Sequence, residues 1–169
     1  FGPKTVGALR ATQSLLAMMN VVREALENIV PPLAGKALAE AGVAGLKRTL
    51  RLALLFSALT GGAAVLSLAA FGPWLLRRLY GGEMLEFDWL VVWYSLILPM
   101  ALVNIVQGCA FRALERTRSI FLASLAAACF NILAIYPAGV VFGVAGIIAI
   151  AVSTELITLI ALAFLGREL

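Results

Sequence analysis

Histidine is missing from this chain, and only two cysteines occur, Cys109 and Cys129, each inside an apolar run. The first absence removes the commonest general base and metal ligand. The second excludes a disulfide framework and any thiolate metal site of recognisable spacing, and both cysteines read as small core residues. Charge is scarce as well: 13% of residues are charged and 63% are apolar. A soluble domain carries about 25% charged and about 45–50% apolar residues, so an ordinary soluble fold is excluded. There is no Gly-rich phosphate loop, no nucleophile elbow and no metal-ligand cluster, so nothing points to an enzyme, and no cofactor or metal is called for. Glu83, Glu86 and Asp88 read as a solvated acidic turn rather than the metal loop of a membrane transferase. The basic residues flank apolar runs and need no nucleic acid as partner. What remains is an all-α integral membrane protein.

What is present is organised around residues 7–30, GALRATQSLLAMMNVVREALENIV. At about 1.5 Å per residue this stretch is long enough to span a bilayer. It nevertheless carries Arg10, Gln13, Asn20, Arg23, Glu24, Glu27 and Asn28. At about 100° per residue these fall within an arc of about 140°. Leu15, Met18, Met19, Val21, Val22, Ala25, Leu26 and Ile29 occupy the other side. Charged groups at bilayer depth face a bundle interior or an aqueous cavity. The stretch is read as a helix lining a hydrophilic path; the competing reading is an amphipathic helix lying on the membrane surface.

About five spans are expected, near 5–30, 52–76, 89–111, 119–136 and 144–165, in a single membrane domain covering 1–169. Pro31-Pro32 is expected to break or kink the first span, with a short helix, LAGKALAEAG, beyond it. Gly61-Gly62 offers close helix approach in the second span. Gly72-Pro73 marks its end, and Gly81-Gly82 breaks the chain beyond it. Pro99 is expected to kink the third span, where Asn104 and Gln107 share a face. Pro137-Ala138-Gly139 is expected to divide the long uncharged run 119–154, and Gly143, Gly146 and Ala149 form a small-residue face on the last span. Glu155 is the one charge there, either paired or functional.

Eight Lys and Arg residues (Lys36, Lys47, Arg48, Arg51, Arg112, Arg116, Arg118, Arg167) fall on one side of this arrangement, against Lys4, Arg77 and Arg78 on the other. The excess marks the first side as cytoplasmic. Trp74, Tyr80, Trp89, Trp93, Tyr94 and Tyr136 lie towards the opposite interface. The expected topology places this segment's N-terminus outside and its C-terminus in the cytoplasm, in the inner (plasma) membrane. An outside start at Phe1, with no basic n-region, leads us to expect a fragment of a longer membrane protein.

The order of these features resembles the C-terminal lobe of the multidrug/oligosaccharidyl-lipid/polysaccharide exporter superfamily. FGPKTVGAL is similar to the family's lead into a polar helix, and IVPPLAGKALAEAG to its exit. GLKRTLRLALLFSALTGGAAVLSLAAFGPWLLRRLYGGEM resembles its basic helix start, long span and glycine-closed end. QGCAFRALERTRS and PAGVVFGVAGIIAIAVSTEL resemble later turns of the same lobe. The resemblance implies most of one lobe of a two-lobed helix bundle, with the N-terminal lobe missing. It implies flipping of a polyprenyl-pyrophosphate-linked oligosaccharide for cell-surface polysaccharide biosynthesis. By the same resemblance Arg10 matches an arginine that meets an anionic headgroup in the lipid II branch; beyond it the sequence departs from that branch, which favours a polysaccharide branch.

On this reading the substrate cavity is lined by Arg10, Gln13, Asn20, Arg23, Glu24, Glu27, Asn28, Asn104 and Gln107. Glu24, Glu27 and Glu155 are the candidates for ion coupling. Expected partners are membrane lipids, the lipid-linked glycan, the missing lobe and glycan polymerase or assembly proteins. Two rivals remain open: a cation-coupled multidrug exporter of the same superfamily, and a non-transporting scaffold of a glycan-assembly complex.

Overall fold

The structure, a computed structural model, describes residues 2–81 and 87–166, without the side chain of Pro3. Gly82, Glu83, Glu86 and Arg167 lie outside the described residues. The rest is helical, with no strand among the described residues: α1 Pro3–Ala17, α2 Asn20–Tyr80, α3 Asp88–Ser95, α4 Ile97–Ala113 and α5 Thr117–Leu165. Three helical stretches, Asn20–Tyr80, Asp88–Ala113 and Thr117–Leu165, are long and apolar enough to cross a membrane. Their outer faces carry large apolar side chains in the open, including Leu59, Leu66, Ile132, Leu133 and Val140. Contiguous exposed apolar surface on this scale suits lipid rather than water.

Neither α2 nor α5 is one straight rod. Leu26 and Leu50 belong to the same packed cluster, although a straight helix would set them about 36 Å apart. Asn131 Nδ2 donates to Thr154 Oγ1 at 3.0 Å, although about 34 Å of straight helix would separate them. The chain therefore folds back on itself twice. The turning points are Gly42 (φ 61°, ψ −155°) and Gly143 (φ 63°, ψ −142°). Positive φ with extended ψ is a region that only glycine enters without strain.

Both reversals are built from the same four residues, Gly-Val-Ala-Gly, at 42–45 and 143–146. In each, the second glycine closes the hairpin. A side chain at Gly45 would meet the Ala37 carbonyl oxygen at 2.7 Å and Ala41 Cβ at 2.6 Å. One at Gly146 would collide with the equivalent carbonyl, that of Ala138, and meet Phe142 Cβ at 3.1 Å. The first glycine turns the backbone and the second lets the outgoing limb leave against the incoming one.

These positions correct the proline-based expectations. Pro31 and Pro32 sit inside α2, and Pro137 inside α5, without leaving helical geometry. Proline deletes one hydrogen bond and crowds the preceding turn, but its fixed φ is itself helical, so it weakens a helix without reversing it. The first break comes at Gly42 and the division of α5 at Gly143. The first expected span is also interrupted earlier, at Met18–Met19, where Met19 N bonds Leu16 O at 2.9 Å in a tightened turn. Near Pro99 the helix is interrupted as expected: α3 and α4 part at Leu96, just after Ser95, whose carbonyl proline cannot satisfy. Gly61 presses into this bend, where a Cβ would lie 2.6 Å from Pro99 Cα, whereas Gly62 faces open space. Cys109 is buried as expected, but Cys129 is exposed on the apolar flank, and so is Ala149 of the small-residue face.

The α3–α4 rod is the centre of the bundle. At one end Ala8, Leu90 and Ile148 join α1, α3 and the 144–165 limb of α5, while Ala11, Leu15, Leu76 and Val91 tie in the end of α2. At the other end Phe111, Ala123 and Leu162 join α4 to both limbs of α5. Leu26, Val30, Leu102 and Cys109 pack the 20–41 limb of α2 against α4.

Two substitutions separate the roles of the glycines. Gly42→Ala and Gly143→Ala should each destabilise by about 1–3 kcal/mol, the strain of a side chain in that backbone region. Gly62→Ala, with room for its methyl, should leave the unfolding midpoint in detergent unchanged or slightly raised. Equal midpoints for all three variants would contradict the glycine-dependent reversals.

Candidate functional site

Only one edge of the polar stripe of the first helical segment faces the bundle. Gln13 of α1 and Asn20, Arg23 and Glu27 of α2 follow one another at helical spacing, across the tightened turn at Met18–Met19. They look onto α4 at Leu98, Ala101 and Asn104, and onto the 144–165 limb of α5 at Glu155 and Thr158. Two cavities of about 250 and 220 Å³ occupy the gap, and both are lined by Arg23, Ala101 and Glu155. Sharing those residues, they adjoin as a groove lined by polar and apolar side chains together. Small residues on α4, Ala101 and Gly108, keep it open.

Glu155 is anchored rather than loose. Asn104 Nδ2 donates to its Oε2 at 2.7 Å and to its backbone oxygen at 3.1 Å. The first bond has an ionisable acceptor, a class roughly twice as strong as a neutral pair when the carboxylate is charged. Glu155 thus has a hydrogen-bonding partner across the helices, the Asn104 amide. Behind it a ladder of hydroxyls braces the limb. Thr154 Oγ1, which accepts from Asn131, donates to Ile150 O at 2.8 Å, and Thr158 Oγ1 donates to Thr154 O at 3.0 Å. Opposite, Arg23 Nε meets Glu27 Oε1 at 3.0 Å, one turn apart on α2. Gln13 Nε2 reaches towards Tyr94 Oη at 3.5 Å. Asn104 Oδ1 is buried beside the groove with no partner among the described residues, an acceptor left over after its amide is used.

The groove thus gathers Gln13, Asn20, Arg23, Glu27, Asn104 and Glu155. Arg10, Glu24 and Asn28 are exposed and line neither cavity. Gln107 also lines neither, and its Oε1 is buried without a partner among the described residues. Four polar groove residues were not among the expected site residues: Tyr94, Arg112, Ser124 and Thr158. Periodicity could have found two of them. Arg112 continues the line Asn104–Gly108–Arg112 at four-residue steps, and Thr158 lies three residues from Glu155, each on one helix face.

Replacing Asn104 by Leu should strand the Glu155 carboxylate and lower stability by about 1–3 kcal/mol, the range for an unsatisfied buried polar group. Glu155→Gln keeps an acceptor for the Asn104 amide and should stay within about 0.5 kcal/mol of the parent protein. Unfolding in detergent measures both, and a wild-type midpoint for Asn104→Leu would remove the bond from the account of the groove. Compared with protein-family models, with curated proteins and with solved structures, the chain matches none.

Proposed function

We propose that this chain is part of a membrane transporter that flips a lipid-linked oligosaccharide by alternating access, with the polar groove as its share of the headgroup path. The observation that carries the reading is the groove itself. Two arginines, two glutamates and a set of amide and hydroxyl groups line adjoining cavities in a bundle whose α2 and α5 limbs carry large exposed apolar side chains. Intramembrane charge is retained where it serves a pathway. Arg23 and Arg112 would attract pyrophosphate or acidic sugars, and Gln13, Asn20 and Asn104 would hydrogen-bond hydroxyls. Arg10, Glu24 and Asn28, on the exposed side of the same helical segment, would face the second lobe that the exporter resemblance implies. The five-span arrangement follows when each limb of α2 and α5 counts as a crossing, with α1 continuing into the first limb.

Cation-coupled drug export is the second reading. It is favoured by one observation: Glu155 and Glu27 line the same cavity, beside the unpartnered Asn104 Oδ1. Transport of an amphipathic cation driven by a proton or sodium gradient, and lost in Glu155→Gln, would select it.

Glycan-export complementation with the full-length protein tests the first reading. Arg23→Ala and Arg112→Ala should each lower export about tenfold or more at normal membrane abundance, the scale of one charge-assisted hydrogen bond to an anionic headgroup. Arg23→Lys should rescue only in part, because it keeps the charge but loses the planar fork. Full export by both alanine variants would end the flippase proposal.

The orientation is tested separately. In a background with Cys109 and Cys129 replaced by Ala, Ala44→Cys at the first reversal should resist an impermeant thiol reagent on intact cells. Phe142→Cys, at the second reversal, should label. The opposite pattern would invert the proposed topology.

A further inference from the structure

The two limbs of α2 enclose a groove on the side of the 20–41 limb away from the polar path. It holds about 680 Å³ and is lined almost wholly by apolar side chains, among them Val21, Ala25, Ile29, Leu33, Leu52 and Phe56. Ile29, Leu33, Leu52 and Phe56 are each half or more exposed. Two features say what fits there. From Val21 to Leu33 the groove runs about 18 Å, close to the about 15 Å depth of one leaflet of the hydrocarbon core. Both walls then end in a cation. On the first limb Ile29, Leu33 and Lys36 share a stripe, and on the second Arg48, Leu52 and Phe56 do, at helical spacing. Because the chain reverses at Gly42, the two cations flank the same end of the groove. Lys47 and Arg51 stand exposed nearby. Arg48 makes no ion pair among the described residues, and Lys36 is 3.8 Å from its one acidic neighbour, Glu40, on the exposed surface.

We infer that this groove is a binding site for an anionic phospholipid of the surrounding membrane, its acyl chain between the limbs and its phosphate between Lys36 and Arg48. An apolar slot of leaflet depth with cations at one mouth matches a phospholipid along its whole length. A neutral lipid would leave the mouth unused, and a much longer polyprenyl chain would outrun the slot. The lipid would bridge the two limbs and brace the Gly42 hairpin. The inference rests on the membrane setting and stands independently of what the polar groove carries.

Native mass spectrometry of the purified protein, offered equimolar phosphatidylglycerol and phosphatidylcholine in micelles, tests it. Phosphatidylglycerol adducts should exceed phosphatidylcholine adducts about tenfold or more, from two basic side chains near an anionic headgroup. The double variant Lys36→Gln/Arg48→Gln should abolish the preference. Ala25→Phe, which fills the slot, should abolish phosphatidylglycerol retention, with circular dichroism and thermal midpoint confirming the fold. Val21→Trp, at the open end, replaces it if Ala25→Phe does not fold. Equal retention of the two lipids by the parent protein would overturn the assignment. Loss on charge removal with the filling variant silent would leave only a basic surface, and the converse only annular lipid; either overturns it. Displacement of phosphatidylglycerol by equimolar undecaprenyl phosphate would make the slot a substrate site instead. A lipid-free dimer that Ala25→Phe dissociates would assign the slot to a second copy.

Discussion

Backbone hydrogen bonding constrains everything else in this molecule. In hydrocarbon each unsatisfied amide costs several kcal/mol, so the chain stays helical wherever lipid surrounds it. A helical chain that must pack on itself has to reverse within very few residues. Here it does so at Gly42 and Gly143, where positive φ and extended ψ turn the backbone in a single step. Gly45 and Gly146 then let the outgoing limb lie against a carbonyl of the incoming one. Hairpin packing and the alignment of the polar residues follow from those two corners together with the tight turn at 114–116, which sends α5 back along α4.

The corners also explain how charge is accommodated. Folding α5 back at Gly143 brings Glu155 alongside α4, where the Asn104 amide reaches it at 2.7 Å. Folding α2 back at Gly42 holds the 20–41 limb against α4, so that Arg23 and Glu27 border the same gap. Charges from three helices, Arg23 and Glu27 of α2, Arg112 of α4 and Glu155 of α5, line the same cavity. The same reversal of α2 leaves a second, apolar groove on the far side of that limb. One helical segment thus has a groove with polar lining on one side and an apolar groove on the other, as its amphipathic pattern requires.

Much of this was legible in the chain. Composition alone pointed to apolar helices of membrane-crossing length, since so few charges cannot clothe a soluble surface, and the structure has three such stretches among the described residues. The polar stripe from Gln13 to Glu27 was legible as a face because helical periodicity fixes which side chains share a side. Pro99 was legible as a bend, and Gly61 as a site of close approach. The corners were misplaced because proline was given the part that glycine plays: proline removes a bond, whereas glycine enters the positive-φ, extended-ψ region of Gly42 and Gly143 without strain. The repeated Gly-Val-Ala-Gly at 42–45 and 143–146 stood in the sequence and was the signal for them.

What the sequence by itself determined is therefore local: helix almost everywhere, large apolar side chains along the long helices, and a stripe of polar residues on one side of the first helical segment. Those properties depend on residues within a turn or two of one another. The tertiary structure alone decided which part of the stripe faces the groove, that Asn104 anchors Glu155 while Gln107 does not join them, and that Arg112 belongs with Arg23. Each of those depends on how two corners orient helices whose contacts lie 50 or more residues apart in the chain, as the Asn104–Glu155 bond does at a separation of 51. Periodicity within one helix carries no information about the rotation of another, and packing supplies it.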